Sequence, residues 1–423
     1  MHNKMDWWRT ARFGMFVHWG PYARYGGQWK GREIDFGLGR GYGEWIMFNA
    51  KIPHAEYAAE AARFRPHAFD ADALARLARD AGMGYLVVTA KHHDGFAMFH
   101  SRASRYNIVD HAGFDRDPVR ELAEACRRQG LRFGVYYSQA QDWHHPGGAV
   151  YSGTFESDGD PVQGHWDPAQ RGSFDDYLER IALPQVEELL TGYGPIDILW
   201  WDTPIGMSRE RAARFAPLLA RHPGLIVNNR LSDYTPGDTE TPEQHIPVNG
   251  SQDRDWEVCM TLNDTWGFNR RDGNWKPADT LIRHLSDIAS KGGNFLLNVG
   301  PDGEGRVPEA CAARLRSVGR WLGVNGRAVY GTTAGGLPAL PWGRCTAKRA
   351  SGGTALYLHV FDWPAGGELL VPGLPAPVSR ATLLATDEPV AAAIRDGGVA
   401  LRLPARAPDA AASVVELWME RTG

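Results

Sequence analysis

The sequence predicts an α/β architecture, a TIM-like (β/α) barrel over residues 1–335 followed by a C-terminal antiparallel β-sandwich over 336–423. Three observations predict it. From Phe69 onward, segments of helical periodicity alternate with short apolar runs, the signature of β/α units around a parallel sheet. Each run ends in charged, amide or His groups, in KHHDG, YYSQ, WWDT, VNNR and LLNVGP, and barrel active sites lie on that C-terminal rim. After Gly331 the texture changes to Gly- and Pro-rich turns between short alternating segments, as in a small sandwich. A doubly wound sheet would also carry polar residues at its strand ends, but its phosphate-binding glycine fingerprint is absent. GRGYG at 39–43 follows no strand and reads as a loop.

Taken in order, Phe16-Val17-His18-Trp19-Gly20 reads as a short first strand and Gly43-Glu44-Trp45 as part of a loop. A helix is predicted over 70–82, where Leu74, Leu77, Ala78 and Ala81 share one face and Gly82 stops it. The strand Tyr85 to Ala90 follows. Asp117 caps the next helix, Pro118 opens it, Val119, Leu122, Ala123 and Cys126 form its buried face, and Gly130 ends it. The strand Leu131 to Ser138 comes next. Further units pair a helix within 174–192 with Ile196 to Trp201, a helix at 208–221 with Leu225 to Asn228, and a helix at 279–291 with Asn294 to Val299; a helix over 307–325 closes the series. These strands lack in/out alternation, as expected when both faces are buried. The sandwich segments are Leu356 to Phe361, Glu368 to Val371, Ala381 to Ala385, Val399 to Leu403 and Ser413 to Trp418.

Composition narrows the function classes. With 46 Lys+Arg against 50 Asp+Glu the formal charge is −4, which gives no field for steering onto nucleic acid or an anionic membrane and fits a neutral small-molecule substrate. The 16 Trp, many beside Gly, His or acidic residues, read either as sugar platforms or as core aromatics. Cys126, Cys259, Cys311 and Cys345 have no paired spacing, so neither a zinc knuckle nor a disulfide framework is indicated. No stretch approaches the roughly 18 apolar residues of a membrane span. The start, MHNKMDWWRTARFGMF, lacks the apolar run of a secretory leader, so the chain as it stands is expected in the cytoplasm. A leader removed upstream would instead mean a periplasmic or secreted protein, and the oligomeric state stays open.

Several residues point to chemistry. Asp202 ends an apolar run beside Trp200 and Trp201, where it reads either as a rigidly presented nucleophile or as a loop cap. His92 and His93 follow a strand and can grip different hydroxyls of one ring; with Asp202 they also read as zinc ligands, although no HxH or second ligand cluster accompanies them. His18 ends the first strand, and Glu44 with Trp45 pairs a carboxylate for hydroxyl groups with an indole for an apolar ring face. Glycoside hydrolysis needs a second carboxyl, about 5 to 5.5 Å from the first when configuration is retained. Glu243, in the loop DTETPEQH, and Glu257, at a strand start, both offer one.

The motifs HWG, GEW, KHHDGF, GVYYS, LWWD, NNR, TPEQ, WEVCMTLNDTWG and SKGGNFLLNVGP, in this order over residues 7 to about 333, resemble the α-L-fucosidases of glycoside hydrolase family 29. The resemblance implies a barrel followed by a sandwich, and a retaining exo-acting α-L-fucosidase that works without metal or other cofactor. Its two steps would pass through a covalent fucosyl-Asp intermediate on fucosylated oligosaccharides or glycoconjugates. It implies Asp202 as nucleophile and His18, Glu44, Trp45, His92, His93, Tyr137, Trp200 and Arg230 as substrate contacts, with Trp266 lining the pocket near the sugar methyl. The acid/base position varies in the family; the TPEQ glutamate, Glu243, is favoured, with Glu257 as rival and otherwise a substrate contact.

Overall fold

The computed structural model describes residues 3–34, 42–251, 253–374, 377–395 and 397–420. Among the described residues, eight parallel strands form the first sheet: β1 Phe13–Val17, β2 Tyr85–Lys91, β3 Arg132–Tyr137, β4 Ile198–Trp201, β5 Ile226–Val227, β6 Thr239–Glu240, β7 Asp255–Thr261 and β8 Asn294–Val299. Their order is β5-β4-β3-β2-β1-β8-β7-β6, and a parallel bridge between Asn228 and Thr239 joins the two ends into a barrel. Every residue of β1, β2, β4 and β8 is buried, because helices cover the outside and side chains fill the inside.

Alternation along each strand divides these residues. Phe16, Tyr85, Val87, Tyr136, Ile198, Trp200, Cys259 and Leu296 form one buried cluster inside the barrel. Their chain neighbours Met15, Leu86, Val135, Tyr137, Leu199, Trp201, Val258 and Leu297 pack with the helices outside. Gly14 is inward too: a Cβ there would come within 2.3 Å of the Tyr85 ring, so this level of the barrel has room for one large side chain.

The helices Ala71–Asp80 and Pro118–Gln129 begin where capping chemistry puts them. The Asp70 side chain accepts from Ala73 N and Asp117 from Arg120 N, while Gly82 and Gly130 take φ of 81° and 71° where these helices end. The stretch within 174–192 is helical throughout but carries a π turn at Leu178–Ala182, just before Pro184, whose ring nitrogen cannot close the bond to Arg180. The single helix predicted over 208–221 is instead two, Arg209–Ala213 and Ala216–Ala220, because Pro217 has no N–H for Ala213. Gly43–Trp45 is a 3-10 turn running into the helix Ile46–Asn49 rather than a loop. Gly39 to Gly41 of the loop expected at 39–43 lie outside the described residues.

Between β5 and β7 the chain carries no helix among the described residues. That segment crosses the barrel rim, which brings residues 241–245 over the strand ends. The helices Ala278–Ser290 and Glu309–Asn325 flank β8 and meet an antiparallel sheet ordered Thr333–Ala334, Gly343–Ala350, Gly353–Val360, Ser413–Glu420, Arg380–Leu383, Glu388–Pro389. A second sheet, Glu368–Pro372, Gly398–Arg402 and Ala391–Arg395, faces it across Leu356, Leu358, Leu369, Val371, Leu401, Val415 and Leu417. The alternate residues Ala355, Tyr357 and Val414 join the barrel's core, and Trp321 Nε1 donates to Ala412 O at 2.8 Å. Among the described residues no helix is long and apolar enough to cross a membrane.

Candidate active site

A cavity of about 670 Å³ opens at the C-terminal rim of the barrel. Its walls include Phe16, His18, Glu44, Trp45, His92, His93, Tyr136, Trp200, Asp202, Arg230, Glu243 and Trp266, contributed by eight separate stretches of chain.

Asp202 leaves the end of β4, two residues beyond inward-facing Trp200, so it points into the barrel mouth. Its Oδ1 accepts from Arg230 Nη1 at 2.8 Å and its Oδ2 from the Tyr136 hydroxyl at 2.9 Å; its backbone N–H donates to Gln139 Oε1 at 3.0 Å. Burial pushes this carboxyl up, but the Arg230 charge and the hydrogen bonds from Arg230 and Tyr136 outweigh it, and the net shift is downward. Asp202 therefore stays ionised. Asn228 locks the strand end by bonding both the N–H and the C=O of Trp201, and the next residue, Thr203, takes a φ of 50° as the chain turns away.

Every N–H of Arg230 is committed. Nε donates to Thr241 Oγ1 at 2.9 Å, Nη2 to Thr241 O at 2.9 Å and to Glu243 Oε2 at 3.0 Å, and Nη1 spans Asp202 at 2.8 Å and Glu243 Oε2 at 3.0 Å. The guanidinium also lies 4.7 Å from the centre of the Trp200 ring. One nitrogen thus touches both carboxylates, and their facing oxygens can be no further apart than those two bonds laid end to end. Glu243 sits on a segment pinned to β7, where Gln244 N donates to Cys259 O at 2.9 Å and Cys259 N to Pro242 O at 3.2 Å; its side chain remains 42% exposed.

The histidine tautomers follow from their partners. Asn298 Nδ2 donates to Trp266 O at 2.7 Å, which leaves its Oδ1 facing His18 Nδ1 at 2.7 Å, so the proton is on Nδ1. Ser138 spends its only hydroxyl proton on Gln141 O at 2.7 Å and so accepts from His93 Nδ1 at 2.8 Å. Both rings then present Nε2 as an acceptor. Burial lowers His18 to about 4 and His93 to about 3, which keeps them neutral. His92 stacks on Tyr136 with centroids 5.2 Å apart. Glu44 Oε2 accepts from Gly267 N at 2.8 Å while its Oε1 is buried without a partner among the described residues. Burial raises the Glu44 carboxyl to about 7, against the pull of its backbone donors. Trp266 lies beside His18 and Phe16, and Trp45 meets His93 edge-on.

Two residues named from the sequence fall elsewhere. Tyr137 faces the helices, where its hydroxyl donates to Gln185 Oε1 at 2.8 Å; the inward tyrosine is Tyr136, paired in register with Trp200. Parity decides this, since Tyr137 pairs with outward-facing Trp201. Glu257 lies deeper in the barrel, 2% exposed and outside the cavity wall, with Trp200 between it and the sugar-sized space. It sits two residues before Cys259 on β7, and Cys259 is the residue of that strand which reaches the cavity. Among the described residues that line the cavity, β7 is thus represented by Cys259 and not by Glu257.

The sequence reading missed Tyr136, the orienting side chains Ser138, Gln139, Asn228 and Asn298, and the outer rim of Thr154, Phe155, Glu156, Pro204, Asn229 and Asp233. Two-residue parity with Trp200 and Asp202 would have found Tyr136; the rim comes from loops that carry no pattern. His92, His93 and Asp202 do converge, with His93 Nε2 3.8 Å from Asp202 Oδ2, but among the described residues no three His, Cys, Asp or Glu side chains are grouped to hold a metal ion.

A family profile described as Alpha-L-fucosidase matches residues 1–327. An alpha-L-fucosidase of Branchiostoma floridae is 29% identical over 94% of this chain and 88% of its own length. Alpha-L-fucosidase isoenzyme 1 from Paenibacillus thiaminolyticus is 34% identical, with a TM-score of 0.85 over 99% of both chains. A trapped covalent intermediate of a Bacteroides thetaiotaomicron GH29 alpha-L-fucosidase, in complex with 2-fluoro-fucosyl fluoride, is 26% identical with a TM-score of 0.84, over 99% of this chain and 96% of that one. With a family match over residues 1–327 and structural agreement over nearly the whole length, the chain belongs to the alpha-L-fucosidase family of glycoside hydrolases.

Proposed function

We propose that this enzyme removes terminal α-L-fucosyl groups from oligosaccharides or glycoconjugates with retention of configuration, Asp202 being the nucleophile and Glu243 the acid/base. The observation that carries the reading is the single Arg230 nitrogen shared by Asp202 and Glu243 at 2.8 and 3.0 Å. It keeps the carboxylates at a spacing suited to retention, for which about 5 to 5.5 Å is typical, rather than the wider gap that admits a water for inversion. The trapped covalent intermediate in the Bacteroides relative supports a double displacement.

In the first step Asp202 bonds to the anomeric carbon as the bond to the leaving oxygen breaks, and Glu243 gives that oxygen its proton. In the second, Glu243 takes a proton from water, the water oxygen bonds to the anomeric carbon, and Asp202 leaves as carboxylate. His18 and His93, neutral acceptors at Nε2, with Glu44 and His92 would receive ring hydroxyls. Phe16, Trp200 and Trp266 would form the apolar wall for the methyl of a 6-deoxy sugar. The pocket floor is closed by aromatic side chains, which favours exo action on a terminal residue, and the Thr154–Glu156 rim is left for the leaving group. Residues 1–335 act as the catalytic unit and 336–423 as a supporting sandwich.

The test is hydrolysis of an aryl α-L-fucoside by wild type, Asp202→Ala, Glu243→Ala and Glu257→Ala, each with and without azide. The reading requires β-fucosyl azide from Asp202→Ala and α-fucosyl azide from Glu243→Ala. Azide rescue of Glu257→Ala in place of Glu243→Ala would move the acid/base. A wild type that binds fucose without turning over the fucoside would make the protein a binding module.

A further inference from the structure

Glu257 is a carboxyl in the barrel interior that the proposed chemistry does not use. Its two oxygens are engaged by donors only: Trp200 Nε1 reaches Oε1 at 3.3 Å, the Tyr85 hydroxyl bonds Oε2, and the Trp8 indole also bonds it. Tyr85 is held in turn by Asn294 Nδ2 at 3.3 Å, and Asn294 Nδ2 also bonds Trp8 O at 2.9 Å, so the carboxyl is tied to the first residues of β2 and β8 and to the short helix Asp6–Ala11 that precedes β1. A buried carboxyl costs desolvation that an apolar side chain of the same size would avoid.

Trp200 has rings on its other sides. Tyr136 stacks on it at 5.7 Å with 19° between planes, Phe16 lies 5.0 Å away, and the Arg230 guanidinium sits over it at 4.7 Å. The indole N–H is the one polar group of this ring, and the Glu257 carboxyl is its acceptor.

We infer that Glu257 is a positioning residue: it orients the Trp200 indole, and through the ring face under Arg230 it sets the guanidinium that spans Asp202 and Glu243. Glu257 never touches the sugar. The inference rests on the proposed pairing of Asp202 with Glu243.

Its test uses the full chain and two perturbations. Glu257→Leu keeps the volume and removes the acceptor; Glu257→Gln keeps an acceptor for the indole. Misplacing a catalytic group by a fraction of an ångström to 1 Å costs on the order of 10- to 100-fold in rate. Glu257→Leu should therefore lower kcat by about 10- to 100-fold with KM within about threefold, whereas Glu257→Gln stays within about threefold of wild type in both. Replacing Trp200 by its benzothiophene analogue, which keeps the ring and lacks the N–H, should reproduce the loss of kcat, and this holds the inference to account even if Glu257→Leu fails to fold. Unchanged kcat in a folded Glu257→Leu, or in the analogue, overturns it, as does a loss in Glu257→Gln equal to that in Glu257→Leu. Asp202→Ala, assayed alongside, separates the two failures: if it retains turnover, the catalytic pairing itself is wrong.

Discussion

Tyr136→Phe isolates one hydrogen bond to the nucleophile. The Tyr136 hydroxyl donates to Asp202 Oδ2 at 2.9 Å inside a buried site, and a hydrogen bond to a charged group is worth about 1.5 to 3 kcal/mol. Asp202 loses its negative charge as the fucosyl ester forms and regains it as water displaces the ester. The bond therefore helps the second transition state most. Losing it should slow deglycosylation by about 10- to 100-fold, at 1.36 kcal/mol per decade. With an activated aryl α-L-fucoside the ester then accumulates: kcat and KM fall together and a burst of phenol precedes the steady state. Tyr137→Phe is the control. It breaks a bond of 2.8 Å to Gln185 outside the barrel, so it should cost about 1 kcal/mol of stability and leave kcat within about twofold. Equal loss of kcat in both variants, or unchanged steady-state constants in Tyr136→Phe, would refute the parity argument that put Tyr136 on the nucleophile.

Arg230→Lys keeps the charge but offers one point donor in place of a fork that bonds Asp202, Glu243 and Thr241, and each lost charge-assisted bond is worth about 1.5 to 3 kcal/mol; kcat/KM should drop at least about 100-fold, and a variant within tenfold of wild type would remove the clamp from the mechanism. Burial raises the Glu257 carboxyl from an ordinary 4.5 to about 7, against hydrogen bonds from Tyr85, Trp200 and Trp8. A raised folded value favours the native state below the unfolded value and loses that contribution as pH rises through about 7, so Glu257→Gln should gain on wild type, by at most about 3 kcal/mol, between pH 4.5 and 7. Denaturant melts at pH 5 and pH 8 measure this, and a stability difference that ignores pH would contradict the burial argument. Prolonged dialysis against a strong chelator should leave fucoside hydrolysis unchanged, whereas activity lost and restored by zinc would revive the reading of His92, His93 and Asp202 as ligands.

Much of the molecule was legible because the signals were local. Asp70, Asp117, Pro118, Gly82 and Gly130 mark helix ends through their own backbone and capping chemistry, and the buried runs of β2, β4 and β8 read as strands from apolar content alone. Four strands of the sandwich sheets were not legible, and two of them, Thr333–Ala334 and Glu388–Pro389, are only two residues long. Gly343–Ala350 carries Arg344, Lys348 and Arg349, and every residue of Ala391–Arg395 is exposed, so neither shows the alternation that marks a half-buried strand. The split at Pro217 was legible in principle, since the break follows from a missing N–H rather than from any tertiary contact.

By itself the sequence determined the order of β/α units, the rim on which polar residues gather, the family and a short roster of side chains, because each of these depends on neighbours within a few residues or on motifs read in order. Only the tertiary structure decided which tyrosine of GVYYS faces the nucleophile and which glutamate shares its arginine. A strand shows its neighbours opposite faces and barrel closure assigns those faces, turning Tyr136 inward and Tyr137 toward Gln185. Depth along β7 puts Glu257 beneath Trp200, while the crossing after β5 carries Glu243 to within 3.0 Å of Arg230, a meeting that depends on contacts between strands distant in the chain.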